Sequence, residues 1–289
     1  MGLKKSSIQL LRLHFSFFLM PVYWFALSQV GKPDWPRALL IFFLLHVLVY
    51  PASNGYNSYM DRDTTPIGGL KSPPQPTMQL FHLTVLMDIL AVILSIFISS
   101  WFTFGLIVYI LSSRAYSYRG IRLKRLPVIG YLTVIICQGA LVFFLVYHGS
   151  DAGRSLHAPL EGMIISSLLI GGFYPLTQIY QHEADRKDGV RTLSMLLGLR
   201  GSFIFTGAIY SVAMLLLAYY FFSTLQINEF YVLATCMLPI LVYFFIWAAK
   251  VWKDPGQANF TNTMRMNLLA SLCTNAGYIA VLIMNTRMA

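Results

Sequence analysis

Apolar runs of about 20 residues recur along the whole chain, and each is long enough to cross a hydrocarbon core of ~30 Å. Nine can be separated, at roughly 12–30, 37–60, 78–98, 99–116, 127–148, 158–181, 203–223, 228–251 and 266–286. A membrane barrel would instead show alternating segments of ~10 residues. Only 11% of the residues are charged, against about 25% in a soluble domain. That excludes a soluble globular enzyme and a disordered chain. The expected fold is all-α and polytopic: nine transmembrane helices in one bundle, forming a single domain over residues 1–289. Cys137, Cys236 and Cys273 all fall inside apolar runs and read as small buried hydrophobes, not as a disulfide or zinc set.

The net charge of +10 is a topology signal. Of the 21 Lys and Arg residues, all but Lys32, Arg37, Arg154 and Arg287 fall on the side that carries the amino terminus. The positive-inside rule makes that side cytoplasmic, which fits a multi-pass protein of a bacterial cytoplasmic membrane. A basic surplus spread over loops in this way points to no nucleic-acid partner.

A repeat locates the candidate site. Tyr50-Pro51-Ala52-Ser53-Asn54-Gly55-Tyr56-Asn57-Ser58-Tyr59-Met60-Asp61-Arg62 aligns without a gap on Tyr174-Pro175-Leu176-Thr177-Gln178-Ile179-Tyr180-Gln181-His182-Glu183-Ala184-Asp185-Arg186. The first motif region is 50–63 and the second 174–188. Each ends a run of the same orientation, the second and the sixth, which suggests two pseudo-repeated halves about an axis along the membrane normal. Asn54, Asn57 and Asp61 sit at i, i+3 and i+7 and share a helical face, as do Gln178, Gln181 and Asp185. Polar groups in a span are costly unless they face a cavity or a partner. A lone Asn would be interhelical glue; six matched polar positions, continued by Asp63, Glu183 and Asp188, favour two faces opposed across a pocket at the cytoplasmic end. Hard carbonyl and carboxylate oxygens suit Mg²⁺, which commonly bridges protein to phosphate oxygens. Arg114, Arg119, Arg122, Lys124 and Arg125 lie in the neighbouring loop and offer charge-assisted bonds to phosphate. Acids and bases on one membrane face imply a metal–diphosphate complex.

These residues resemble the UbiA superfamily of intramembrane prenyltransferases, which has nine spans and two Asp-rich motifs at the cytoplasmic ends of the second and sixth. The family's N-D-x-x-D-x-x-x-D is matched here by Ser53-Asn54-Gly55-Tyr56-Asn57-Ser58-Tyr59-Met60-Asp61. Its D-x-x-x-D-x-x-x-G-x-x-T-L is matched by Gln181, Asp185, Gly189, Thr192 and Leu193, with Gly198 also in place. Tyr116-Ser117-Tyr118, followed by Ile121-Arg122-Leu123-Lys124-Arg125, is similar to the family's Tyr-and-Lys loop. Three family aspartates are amides here, Asn54, Asn57 and Gln181. The family's Arg-Pro after the first motif is replaced by Ile67-Gly68-Gly69-Leu70-Lys71.

The resemblance implies transfer of a prenyl group from an allylic diphosphate to a lipophilic or aromatic acceptor. It implies Mg²⁺ held by Asn54, Asn57, Asp61, Gln181 and Asp185. Asp61, Asp185 and Lys124 are then the expected catalytic residues. Arg62, Lys71, Tyr118, Arg122, Lys124, Gln178 and Arg186 are the expected substrate-binding set, with Lys71 standing in for the missing arginine. Tyr56, Tyr59, Tyr118 and Tyr180 are candidates to face an allylic cation. The prenyl tail is expected in a greasy tunnel open to membrane lipid. The proline-rich segment 62–77 reads as a lid or a connector. Asp88 reads as an acceptor-binding or proton-transfer group, or as a structural hydrogen bond. Two other functions fit the pattern. A small-molecule transporter shares repeated halves and intramembrane polar residues, but its site would sit near mid-membrane. A terpene cyclase, or a homologue that binds prenyl diphosphate without turnover, keeps the fold and changes the chemistry.

Overall fold

The computed structural model describes residues 2–288; Met1 and Ala289, and the side chains of Arg287 and Met288, lie outside the described residues. The described chain is helical, and its only β-type pairings are two isolated bridges, Pro33 with Asp151 and Ile67 with Leu70. Its helical rods, in order, are α1 (Lys5–Ser28), α2 (Trp35–Asp61), α3 (Met78–Ser95), α4 (Ser100–Ser117), α5 (Pro127–Ser150), α6 (Leu160–Lys187), α7 (Leu193–Ser223), α8 (Ile227–Lys253) and α9 (Phe260–Met288). All but α4 are long and apolar enough to cross a membrane. The last two turns of α4 carry Ser112, Ser113, Arg114, Tyr116 and Ser117, which dilutes its hydropathy.

Apolar side chains fill both the interior and the outer surface. Phe25, Phe143, Phe221 and Tyr278 are fully buried, while Leu39, Phe97 and Leu215 are about 70% exposed. In water that outer surface would be a large sticky patch; in a bilayer it is the lipid face. Successive helices pack on their neighbours, and α9 closes the ring against α1. A cavity is left inside.

Rods α1, α2 and α6 each depart from a straight α-helix. In α1, Arg12 takes a left-handed conformation (φ 48°), and a 3₁₀ stretch, Leu13–Leu19, precedes Met20–Ser28. The first rod therefore starts at Lys5 and bends at Arg12, where the sequence predicts one straight span from about 12. In α2, Pro51 has no N–H to donate, and its ring crowds the carbonyl four residues back. A π-helical stretch, Leu44–Val49, directly precedes Tyr50–Asp61 and absorbs the misfit. In α6, a 3₁₀ turn at Ile179–Gln181 separates Leu160–Gln178 from His182–Lys187, so the second motif is not the continuous helix that its spacing predicts. Rod ends are capped by side chains. Asp34 accepts from Arg37 N–H, Ser99 from Phe102 N–H and Thr192 from Met195 N–H.

In α5, a second π stretch, Ile136–Leu141, contains Gly139. A Cβ added there would lie 2.4 Å from Ser167 Cα and 2.6 Å from Ser167 N on α6. Because the obstacle is backbone, no rotamer change relieves it. Gly139→Ala is expected to force α5 from α6 and to destabilise the fold by about 1–3 kcal/mol, read as a lower unfolding temperature in detergent; an unchanged temperature would refute the close packing.

Candidate functional site

Both motif stripes open into one cavity of about 350 Å³. Asn54, Asn57 and Asp61 line it from α2, and Gln178, Gln181 and Asp185 from α6, so all six sequence-matched polar positions converge. The 3₁₀ turn does not scatter the second stripe. Glycines at the second motif shape the exit from α6. Gly189 and Gly198 both have φ +69°, a region L-residues avoid; the first turns the chain back and the second kinks α7.

The acids do not stand alone. Lys124, in the loop between α4 and α5, forms an ion pair with Asp61, and Arg122 Nη2 lies 3.7 Å from Asp61 Oδ1. Arg122 also pairs with the Asp188 carboxylate and donates to the Asp188 carbonyl at 3.0 Å. Arg119 donates to the Met60 carbonyl at 2.6 Å. The basic loop is thus tied to both motifs. Asp61 and Lys124 are nearly enclosed, with side chains 7% and 11% exposed. Asp63, just beyond α2, has its carboxyl pushed up to about 6; burial is the main cause and the neighbouring Asp61 adds to it, against the pull of Lys124 and Arg12. Proton uptake there relieves a surplus of negative charge.

Sequence reasoning missed Arg12 as a site residue. It is 7% exposed and lines the cavity. Its Nη2 donates to both the Asn54 carbonyl and Asn54 Oδ1 at 3.3 Å, and its Nη1 to the Gly68 carbonyl at 3.2 Å. The available signal was an arginine inside the apolar run Leu10-Leu11-Arg12-Leu13, since a charge in such a place usually has a task. Gln181 Nε2 donates to the Pro66 carbonyl at 3.2 Å. Segment 62–77 is therefore strapped to both motif helices, and Asp63, Ile67 and Gly68 lie in the cavity wall.

Several expected residues lie elsewhere. Arg62 terminates α2 in a left-handed conformation (φ 55°). Arg62, Lys71 and Arg186 are exposed, Tyr118 is 48% exposed, and none of the four lines the cavity. Arg186 follows Asp185 directly and so points about 100° away from it around the helix. Arg122 sits behind the wall, holding Asp61 and Asp188. Tyr56 and Tyr59 occupy the face of α2 that packs on α3. Tyr56 lies under the Arg114 guanidinium at 4.0 Å, and Tyr59 packs on Phe81 at 5.3 Å. The aromatic residues that do line the cavity include Tyr109, Tyr116, Tyr174, Tyr180 and Tyr210, with the Tyr116 and Tyr174 hydroxyls bonded to each other. Cys137 packs against the core and also lines the cavity. Asp88 is a structural partner: it pairs with Arg114, which belongs to α4 rather than to a loop and also donates to the Thr84 carbonyl at 3.1 Å.

Among the described residues no three His, Cys, Asp or Glu side chains are grouped closely enough to hold a metal by themselves. Asp61 Oδ1 and Gln178 Oε1 are buried and accept no hydrogen bond. A donor set of separate carboxylates and one unsatisfied amide oxygen, that of Gln178, fits Mg²⁺ in company with a ligand that brings further oxygens, since this ion takes few protein ligands when phosphates are present.

Removing one member of a buried ion pair strands the other. Lys124→Met is expected to destabilise the protein by about 3 kcal/mol, and Asp61→Asn in the same chain to restore most of the loss. Thermal unfolding of the two single variants and the double variant measures this; equal losses that add would remove the pair from the account.

The profile of the UbiA prenyltransferase family matches residues 18–269. The Bacteriochlorophyll synthase 33 kDa chain of Cereibacter sphaeroides is 30% identical over 176 residues, which are 57% of this chain. The matched segment spans 56% of that protein, little more than half its length. Among solved structures, a UbiA homolog from Archaeoglobus fulgidus bound to DMAPP and Mg²⁺ superposes with a TM-score of 0.69 at 19% identity, covering 96% of this chain and 99% of that one. An apo UbiA homolog from Aeropyrum pernix K1 gives 0.67 at 18% identity, covering 93% and 98%. At such identities the likeness is one of fold.

Proposed function

The chain belongs to the UbiA prenyltransferase family, and from that premise we propose that it is an Mg²⁺-dependent intramembrane prenyltransferase, moving a prenyl group from an allylic diphosphate to an electron-rich, aromatic acceptor. One observation carries the reading: Asn54, Asn57, Asp61, Gln178, Gln181 and Asp185 line the same cavity as Arg12 and Lys124. Oxygen donors for a cation and N–H donors for an anion meet in one place.

Asp61 and Asp185, with the amide oxygens of Asn54, Asn57 and Gln181, are the residues that would hold Mg²⁺. Bound there, the ion would act as a Lewis acid that neutralises the leaving diphosphate. Lys124 balances Asp61 at rest; with diphosphate in the cavity, its ammonium turns to the phosphate oxygens. Arg12 is the second donor, and its unpartnered Nε remains available. Arg122 holds Asp188 and Asp61 so that Lys124 is aimed. The cavity tyrosines offer ring faces to a developing cation. Segment 62–77, strapped by Arg12 and Gln181, keeps water from that cation. The rest of the reading is a single 1–289 domain of two related halves and nine crossing rods. It sits in a bacterial cytoplasmic membrane, with amino terminus and site on the cytoplasmic side.

The family fold with binding but no turnover is a second reading. The three amides, and the lack of a three-carboxylate group among the described residues, favour it. Labelled prenyl diphosphates of several lengths, incubated with membranes and Mg²⁺, separate the two, because only an enzyme yields a labelled lipid by mass spectrometry.

Asp61→Ala and Asp185→Ala are each expected to lower Mg²⁺-dependent turnover by about a hundredfold or more. Wild-type rates in both would overturn the assignment. Arg12→Ala is expected to weaken geranyl diphosphate binding about tenfold, the worth of one charge-assisted bond. Limited proteolysis should cut segment 62–77 more slowly when Mg²⁺ and diphosphate are present; identical cutting argues against a lid.

A further inference from the structure

The three amides Asn54, Asn57 and Gln181 are not interchangeable, because hydrogen-bond direction fixes how each is turned. A guanidinium only donates, so Asn54 must give its oxygen to Arg12. A divalent ion on that same oxygen would stand against the guanidinium and be repelled. A carbonyl only accepts, so Gln181 must give its nitrogen to Pro66. Gln181 Oε1 is then turned the other way. It accepts no hydrogen bond among the described residues and is not sealed from the cavity that Gln181 lines. Asn57 is turned alike, with Nδ2 donating to Ser117 Oγ at 3.0 Å and Oδ1 left free.

The groups that turn Gln181 and hold Arg12 lie two residues apart in one turn. Pro66 supplies one carbonyl, and Gly68 supplies the other, which accepts from Arg12 Nη1. Ile67 and Leu70 close the turn with two backbone bonds of 2.9 Å. Gly69 has φ +83°, a conformation that residues with a Cβ avoid. Packing fixes the turn in place. Ile67 is 5% exposed, and the Gly69 carbonyl lies 3.2 Å from His14 Nε2. A Cβ added at Gly68 would stand 2.7 Å from Phe15 Cε2. His14 and Phe15 belong to the 3₁₀ stretch of α1 that follows Arg12.

We propose that the turn 66–70 is a positioning element that gives the motif amides opposite tasks. Gln181, turned by the Pro66 carbonyl, presents its oxygen to the cation. Asn54, with its oxygen on Arg12, positions the guanidinium for the anion and does not hold the cation. The inference rests on the prenyltransferase reading and narrows its cation set to Asp61, Asp185, Asn57 and Gln181. Gly68, through its carbonyl on Arg12, serves the anion side with Asn54. One packed turn thereby sets a cation ligand and an anion ligand in fixed relation to each other, while its own carbonyls meet neither ion.

The test uses the full chain in lipid nanodiscs, with Mn²⁺ and methylene diphosphonate as probes. Mn²⁺ affinity is read by electron paramagnetic resonance at saturating diphosphonate, and diphosphonate affinity by calorimetry without metal. Gln181→Leu is expected to weaken Mn²⁺ binding about tenfold or more and to leave metal-free diphosphonate binding nearly unchanged. Asn54→Leu is expected to do the reverse, weakening diphosphonate severalfold and leaving Mn²⁺ nearly unchanged. The affinity that each variant retains shows that it is folded. Gly69→Ala, at a residue outside the cavity wall, should weaken both probes severalfold while still unfolding cooperatively. Equal loss of Mn²⁺ in Asn54→Leu and Gln181→Leu makes Asn54 a cation ligand and overturns the proposal. Undiminished binding of both probes by Gly69→Ala overturns it as well. Failure of Mn²⁺ and diphosphonate to bind the unaltered protein together would instead strike the prenyltransferase reading.

Discussion

The charge network joining Asp61, Lys124, Arg122 and Asp188, enclosed at every member but Asp188, is the constraint on which the rest of the structure depends. Charges taken from water at the edge of a hydrocarbon core are costly unless paired and hydrogen-bonded. Here each acid is met by a base from the loop between α4 and α5. That loop is consequently pinned to the end of α2 and to the turn after α6. The two motif helices come together through a shared set of counterions and not through direct contact of their own polar faces. Space is left between them, and the cavity is that space.

The same network explains why the amide substitutions are compatible with the fold. Asp61, Asp63, Asp185 and Asp188 line the cavity along with Arg12 and Lys124, and Arg122 stands directly behind. Four acids against three bases are close to balance, and the raised Asp63 carboxyl removes much of the remaining excess near neutral pH. Carboxylates at 54, 57 and 181 would add three negative charges with no cation beside them except Arg12. On the proposed reading, a chain with amides has little field to draw in a bare divalent cation. It is better matched to a cation that arrives with its diphosphate, because that pair brings compensating charges of its own.

The sequence made the bundle legible because apolar length is a one-dimensional property. The convergence of the two stripes was legible as well, since i, i+3, i+7 spacing survives bending: the 3₁₀ turn at Ile179–Gln181 shifts the second stripe without taking Gln178, Gln181 or Asp185 out of the cavity. What periodicity cannot carry is the direction of a side chain after a helix has ended. Arg62 and Tyr118 lie just past rod ends and Lys71 lies midway along segment 62–77, and backbone turns send them outward. Arg12 is the converse. Its left-handed break turns a residue that counts only toward topology into one that touches Asn54. Tyr56 and Tyr59 were adjacent to the motif in sequence but on its other face, where Arg114 and Phe81 hold them.

That division of α2 into two faces has a further consequence. Arg114 on α4, neutralised by Asp88 on α3, lies over Tyr56 at 4.0 Å. The Tyr56 ring lies 6.2 Å from Phe81, tilted by 40°. The back of the first motif thus rests on a cation–aromatic contact inside the bundle, where desolvation strengthens such contacts to ~2 kcal/mol. The front of the same helix presents Asn54, Asn57 and Asp61 to Arg12 and Lys124. Cations therefore grip this helix on both sides: one pairs with a fixed acid and never meets the cavity, while the others are held only by groups that a ligand can replace. A helix clamped behind and exchangeable in front can change its ionic partners without moving its backbone. That is what a site needs if it is to exchange one anion for another and return to rest.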